Sequence, residues 1–229
     1  MTRIFKYIGW QTFLLAKYQI LTVAVAIAFI YVILLASLSF LQTDIVTVLF
    51  IFLDPTALGF IFIGVMILFE KGDNTLDAQI VTPMRTSDYI WSKALALLIP
   101  AVICSTAIAI STQGFNFYPL PFYASVILSS LIFTFIGIAG VIRVKTFNQY
   151  MVIIPLFMAP TSLPLLNYLG LTHWKIFALI PTQSTLNLLA DSLTMKMDWS
   201  QIFDISYLGI WTYLSYIFAR KQFEKKIYK

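Results

Sequence analysis

Residues 69–93 read FEKGDNTLDAQIVTPMRTSDYIWSK, from Phe69 to Lys93, and form the only long polar passage in the first half of a strongly apolar chain. Its local chemistry predicts a short helix. Asn74 can accept from the free backbone donors at a helix start, and Asp77 three residues on completes something like a capping box. Leu76 and Ile80, four apart, then share one face. Pro83 stops the helix and pushes Thr82 toward an extended conformation, which limits the element to about two turns. Ser87 and Asp88 mark the start of a new helix, with the carboxylate where the positive end of the helix dipole favours it. Such a two-turn helix has an apolar face but no core to bury it in. A partner protein or the membrane surface is its natural recipient.

Outward from this stretch, the composition sets the class. The chain of 229 residues is 60% hydrophobic and 11% charged, with a mean hydropathy of +0.88, and ordinary soluble domains carry about 25% charged residues. A polytopic, all-α membrane protein follows. The apolar runs predict six spans, at about 20–41, 46–69, 90–112, 121–142, 148–168 and 204–220, each near the ~20 residues that a bilayer helix needs. Residues 1–18 mix Arg3, Lys6 and Lys17 with Trp10, Phe13 and Leu14, which fits an interfacial amphipathic helix. A frayed terminus is the alternative there. No cleavable signal peptide, internal repeat or low-complexity linker is evident, and residues 1–229 read as one transmembrane domain.

Charge then orients the spans. If the N-terminus is cytoplasmic, all of the 15 basic residues except Lys175 and Lys196 fall on the inner side. Both termini are therefore expected in the cytoplasm of a protein of the cell membrane. The net charge of +5 is a topology signal and an attraction to anionic lipid, not a sign of nucleic-acid binding.

Several features disturb the spans. Asp54-Pro55 interrupts the second, either as a carboxylate facing a protein interior or pathway, or as the cap and first turn of a helix that begins near Pro55 after a re-entrant or interfacial piece at 46–53; the second reading is favoured. Pro155, Pro160 and Pro164 bend the fifth span and free backbone acceptors, so packing against other helices or lining a cavity is expected of it. Gly137 to Gly140 in the fourth span permits close helix packing. Between the last two spans, two apolar pieces around Pro181 are too short to cross and predict a pair of short helices dipping into the outer leaflet. Cys104 reads as a small packing residue and His173 as interfacial or structural.

The chemistry of catalysis is missing from the sequence. No G-x-x-x-x-G-K-[ST] phosphate loop is present, so ATP-driven work needs another polypeptide. Neither G-x-S-x-G nor H-E-x-x-H occurs, which disfavours an intramembrane enzyme. An ion-coupled secondary transporter or a channel is the stronger rival, but charged groups near the bilayer midplane are scarce.

The 69–93 stretch resembles the loop that follows the second span in ABC-2 type transporter permeases. The matching residues are Glu70 and Lys71 leaving the membrane, then Thr75-Leu76-Asp77, Thr82-Pro83 and Lys93, with Gly72 and Asn74 as departures. The N-terminal segment and the helical hairpin before the last span are further points of likeness, and the drug-export branch is the nearest in character. The resemblance implies that Glu70, Lys71, Thr75, Leu76, Asp77, Ile80, Thr82 and Pro83 couple to a separate ABC ATPase that carries the ATP and Mg. It also implies a second permease, in a homodimer or related heterodimer, with a path between the two for a lipophilic or amphipathic small molecule. This chain would hold no cofactor and no metal of its own, and would not itself be an enzyme.

Overall fold

The computed structural model describes residues 2–38, 42–53, 58–73, 75 and 85–227, with the side chains of 2–5, 58, 226 and 227 left aside. The described residues are mostly helical, with no strand among them. In order, α1 spans Thr2–Lys17, α2 Ile20–Ser37, α3 Asp44–Ile51, α4 Leu58–Gly72, α5 Thr86–Gln113, α6 Pro119–Val141, α7 Phe147–Ser162, α8 Pro164–Tyr168, α9 Pro181–Leu193 and α10 Ser200–Ile227. A 3₁₀ turn occupies Lys175–Leu179.

Boundaries follow local chemistry. Thr43 accepts from Val46 N (3.3 Å) at the start of α3, and Thr146 from Gln149 N (3.4 Å) at the start of α7. Prolines 119, 164 and 181 open α6, α8 and α9, where a missing N–H costs nothing. Gly114, at φ +62°, ends α5 in a conformation that favours glycine.

Five stretches are long and apolar enough to cross a membrane: Ile20–Ser37, Thr86–Gln113, Pro119–Val141, Phe147–Tyr168 and Ser200–Lys225. The span expected at 46–69 instead comprises α3 and the 15-residue α4, with Asp54 and Pro55 between them, outside the described residues. The hairpin also differs from expectation. Its first piece is a 3₁₀ turn rather than an α-helix, and its second, α9, packs onto α6 and α10, with Leu186, Leu188 and Leu189 wholly buried.

The bundle is built around α6, whose apolar window is 78% buried and which touches α4, α5, α9 and α10. Small residues permit that centrality. A Cβ placed on Gly137 would sit 2.9 Å from Phe60 O of α4, and one on Gly64 would overlap the Tyr150 ring of α7. Tyr150 is fully buried, stacks on Phe60 and donates to Phe60 O at 2.5 Å. Gly137→Ala is therefore expected to cost about 1–3 kcal/mol through overpacking against backbone that cannot yield, read as a lower thermal-unfolding midpoint in detergent.

At the other extreme, α2 is 22% buried and the α7–α8 span 11%. Within the single chain, Pro155 and Pro160 lie on the exposed face of α7, with Val152 and Leu156, and Pro164 is buried; the helices or cavity expected against this span are not supplied by the chain itself. Helical periodicity puts 152, 156 and 160 on one stripe, and the rest of the bundle packs on the other side of the helix.

Candidate functional site

The polar stretch begins where α4 ends, and there the sequence places two opposite charges side by side. Glu70 turns inward. Its Oε1 lies 2.5 Å from Nζ of Lys93, in the second turn of α5, and both side chains are wholly buried. Tyr89, one turn before Lys93, donates its hydroxyl to Glu70 Oε2 at 2.9 Å, and its ring lies 4.8 Å from the ammonium. The ammonium also donates to Gln11 Oε1 of α1 at 3.2 Å, and Gln11 is 2% exposed. A carboxylate accepting from an ammonium and a phenol, and an ammonium that also meets an amide oxygen, satisfy most of their hydrogen-bonding capacity away from water.

Lys71 points elsewhere. Its Nζ donates to Val141 O (2.9 Å), Ile142 O (3.1 Å) and Val144 O (2.7 Å), carbonyls at and just beyond the end of α6. A cation there meets the negative end of the α6 dipole, an interaction of about 0.3–2 kcal/mol. Beyond it, Thr75 donates to Glu70 O at 3.2 Å, and Asp73 Oδ2 accepts from Tyr18, at the α1–α2 junction, at 2.9 Å. Tyr18 also lies over Phe69, ring centroids 4.9 Å apart. Tyr89 packs against Phe223 near the end of α10 (4.8 Å), and Arg143 donates to Gln222 at 2.5 Å.

Tyr18 is pushed up from 10.0 to about 12, chiefly by burial, then by its bond to Asp73 and by the charges of Asp73 and Glu70. The folded chain thus favours the neutral phenol. Its contribution is complete below pH 10 and is lost as the pH rises from 10 towards 12. Tyrosinate absorbance of the native protein is expected to lack this residue's step near pH 10, and Tyr18→Phe is expected to leave the remaining titration in that region unchanged.

The opposite end of the bundle is pinned separately. Gln113 at the end of α5 donates to Asp44 at the start of α3. Asp204 of α10 accepts from Ser184 and Asn187 of α9. Ser192 donates to Tyr118 O at 2.8 Å. Cys104, in the interior, faces Ala24 O at 3.9 Å across the α2–α5 contact, a packing position.

Of the residues expected at the coupling stretch, Glu70, Lys71 and Thr75 come together at the end of α4. Leu76, Asp77, Ile80, Thr82 and Pro83 lie outside the described residues. Glu70 and Lys71 are engaged within the chain, by Lys93 and by carbonyls at the end of α6. Sequence reasoning missed Gln11, Tyr89 and Tyr18. Gln11 shares the buried face of α1 with Leu14 and Leu15, a polar residue on an apolar i, i+3, i+4 stripe, and Tyr89 precedes Lys93 by one turn; both signals were available.

A buried acid–base pair at the end of one apolar helix and the start of the next, with no catalytic constellation around it among the described residues, is the geometry of a structural joint. Comparison with known proteins agrees. The fluoroquinolones export permease protein family matches residues 2–229. The chain belongs to that family. It is also 30% identical over 140 residues to the fluoroquinolones export permease proteins of two strains of Mycobacterium tuberculosis, a match covering 59% of this chain and 58% of each relative. The matched region thus spans less than two thirds of those relatives. Family membership fits the apolar helices of a multi-pass membrane protein, and the joint at Glu70 lies within the family-matched region.

Proposed function

We propose that this chain is the membrane subunit of an ATP-driven exporter, working with a separate ABC ATPase and paired with a second permease. The observation that carries the reading is the buried joint at the end of α4. It holds the root of the polar segment against three other helices, as a segment that must receive force from a partner requires. No phosphate-cradling loop occurs in the sequence, so the nucleotide chemistry belongs to that partner.

Six crossings are supported by the ends of α5. Asp44 meets Gln113 at one end and Glu70 meets Lys93 near the other, twenty residues or about 30 Å away, the thickness of a hydrocarbon core. The route from α3 to α4 therefore traverses the bilayer as a broken crossing. With six crossings both termini share a side, and the basic residues assign it to the cytoplasm of a cell-membrane protein.

Pairing is supported by α7. Pro155 and Pro160 deprive Met151 O and Leu156 O of their helical donors, on a face the chain leaves exposed. Lipid is a poor neighbour for such carbonyls. A second permease, homologous or identical, with an aqueous path between the copies, accounts for that face and for the exposure of α2. The cargo is a lipophilic or amphipathic small molecule, with the fluoroquinolones named for the relatives as first probes.

The test is purification of the tagged permease, co-expressed with a candidate ABC ATPase from the same genome, followed by drug accumulation in the same cells. A stable permease–ATPase complex of two copies each, with accumulation lowered in an ATP-dependent manner, is expected. A permease that lowers accumulation with no ATPase bound, and stops when the ion gradient is collapsed, would replace this reading with secondary transport.

A further inference from the structure

Glu70 and Lys71 are consecutive, so their side chains leave α4 about 100° apart. Each ends on a different helix. Glu70 reaches Lys93 and Tyr89 of α5, and through Lys93 it reaches Gln11 of α1. Lys71 reaches the three terminal carbonyls of α6 and the residues just beyond it.

The interface below the anchor is stiff. Gly137 of α6 lies against the Phe60 backbone of α4, and Thr134 Oγ1 would sit 3.2 Å from a Cβ on Gly59. Helices in contact through backbone at several levels cannot slide without overlap, so they move as a body. α6 in turn carries α9 and α10.

We infer that Glu70 and Lys71 are positioning residues for transport, a two-armed anchor that delivers any displacement of segment 73–85 to α5 and α6 together. The inference rests on the reading of that segment as the contact with an ATPase. It assigns the moving unit: α1, α4, α5, α6 and the helices packed on α6. Lys71 is the informative arm, because it sits at the surface end of α4 and the ion pair beneath it keeps the fold when it is changed.

The experiment compares wild type, Lys71→Met and Lys71→Arg in the permease–ATPase complex, measuring ATPase retention, ATP hydrolysis and drug export. Lys71→Met is expected to retain the ATPase and its hydrolysis while export falls about tenfold, the size of an ordinary coupling between sites. Lys71→Arg, whose guanidinium can donate to the same carbonyls, is expected to restore export to within about twofold. Undiminished export by Lys71→Met would overturn the inference.

Hydrogen exchange of the permease alone supplies the second measurement. Faster exchange at both 69–73 and 141–146 in Lys71→Met, reversed in Lys71→Arg, is expected of an anchor; a change confined to 69–73 would overturn it. A wild-type permease that binds no ATPase yet shows the paired exchange change would instead refute the coupling reading while leaving the mechanical link standing.

Discussion

Glu70→Gln is expected to destabilise the permease by about 3–5 kcal/mol, because it leaves the wholly buried Lys93 ammonium without its counter-charge. Lys93→Met is expected to cost a similar amount for the converse reason: the carboxylate keeps only the Tyr89 hydroxyl. The informative variant is the double change. Glu70→Gln with Lys93→Met removes both charges together, and much of the single-variant loss should return, since desolvating an ion pair offsets most of its attraction. Thermal unfolding in detergent of the wild type, the two singles and the double forms a cycle. Additive losses would mean that the two groups do not act as a pair. Gln11→Ala should cost less than either single, because Lys93 keeps its carboxylate and the Tyr89 ring.

The largest functional effect is expected from Leu76→Asp with Ile80→Asp. If the apolar face of the two-turn segment enters a groove on an ATPase, two carboxylates there must be desolvated without partners, and association should fail. Export should be abolished. Membrane insertion and unfolding temperature should be unaffected, since neither residue belongs to an apolar span. A matching double change at Thr194 and Met197, beyond α9 and at the opposite end of the bundle, should leave ATPase binding intact. Co-purification of the ATPase with the Leu76→Asp, Ile80→Asp variant at undiminished yield would reduce the segment to a loop. The contrast with the ion-pair variants is diagnostic: those lose the fold, this one keeps the fold and loses the partner.

The class of this protein was legible in the sequence because lipid imposes a simple rule. Backbone polar groups in hydrocarbon must be satisfied within the segment, so apolar runs of about twenty residues mean helices, and α2, α5, α6, α7–α8 and α10 fall where the runs fall. The start of α5 was legible for a local reason too: Ser87 and Asp88, read as the beginning of a helix, fall in its first turn. The polar stretch and the pairing of Glu70 and Lys71 with a later Lys93 could be read as a pattern, but not as a contact.

What only the tertiary structure decided was direction. A charge beside a membrane edge can face water, lipid headgroups or the interior, and composition does not distinguish them. Burial of Glu70 depended on Gln11, Tyr89 and Lys93 converging from α1 and α5, up to 82 residues apart in sequence. Which prolines are covered was likewise a matter of packing: α7 offers its proline stripe outward because α4 engages the opposite side through Tyr150. In a bilayer the hydrophobic effect does not sort faces, since lipid and protein interior are equally apolar. Small residues, buried polar groups and freed carbonyls do that sorting, and they act only once helices meet.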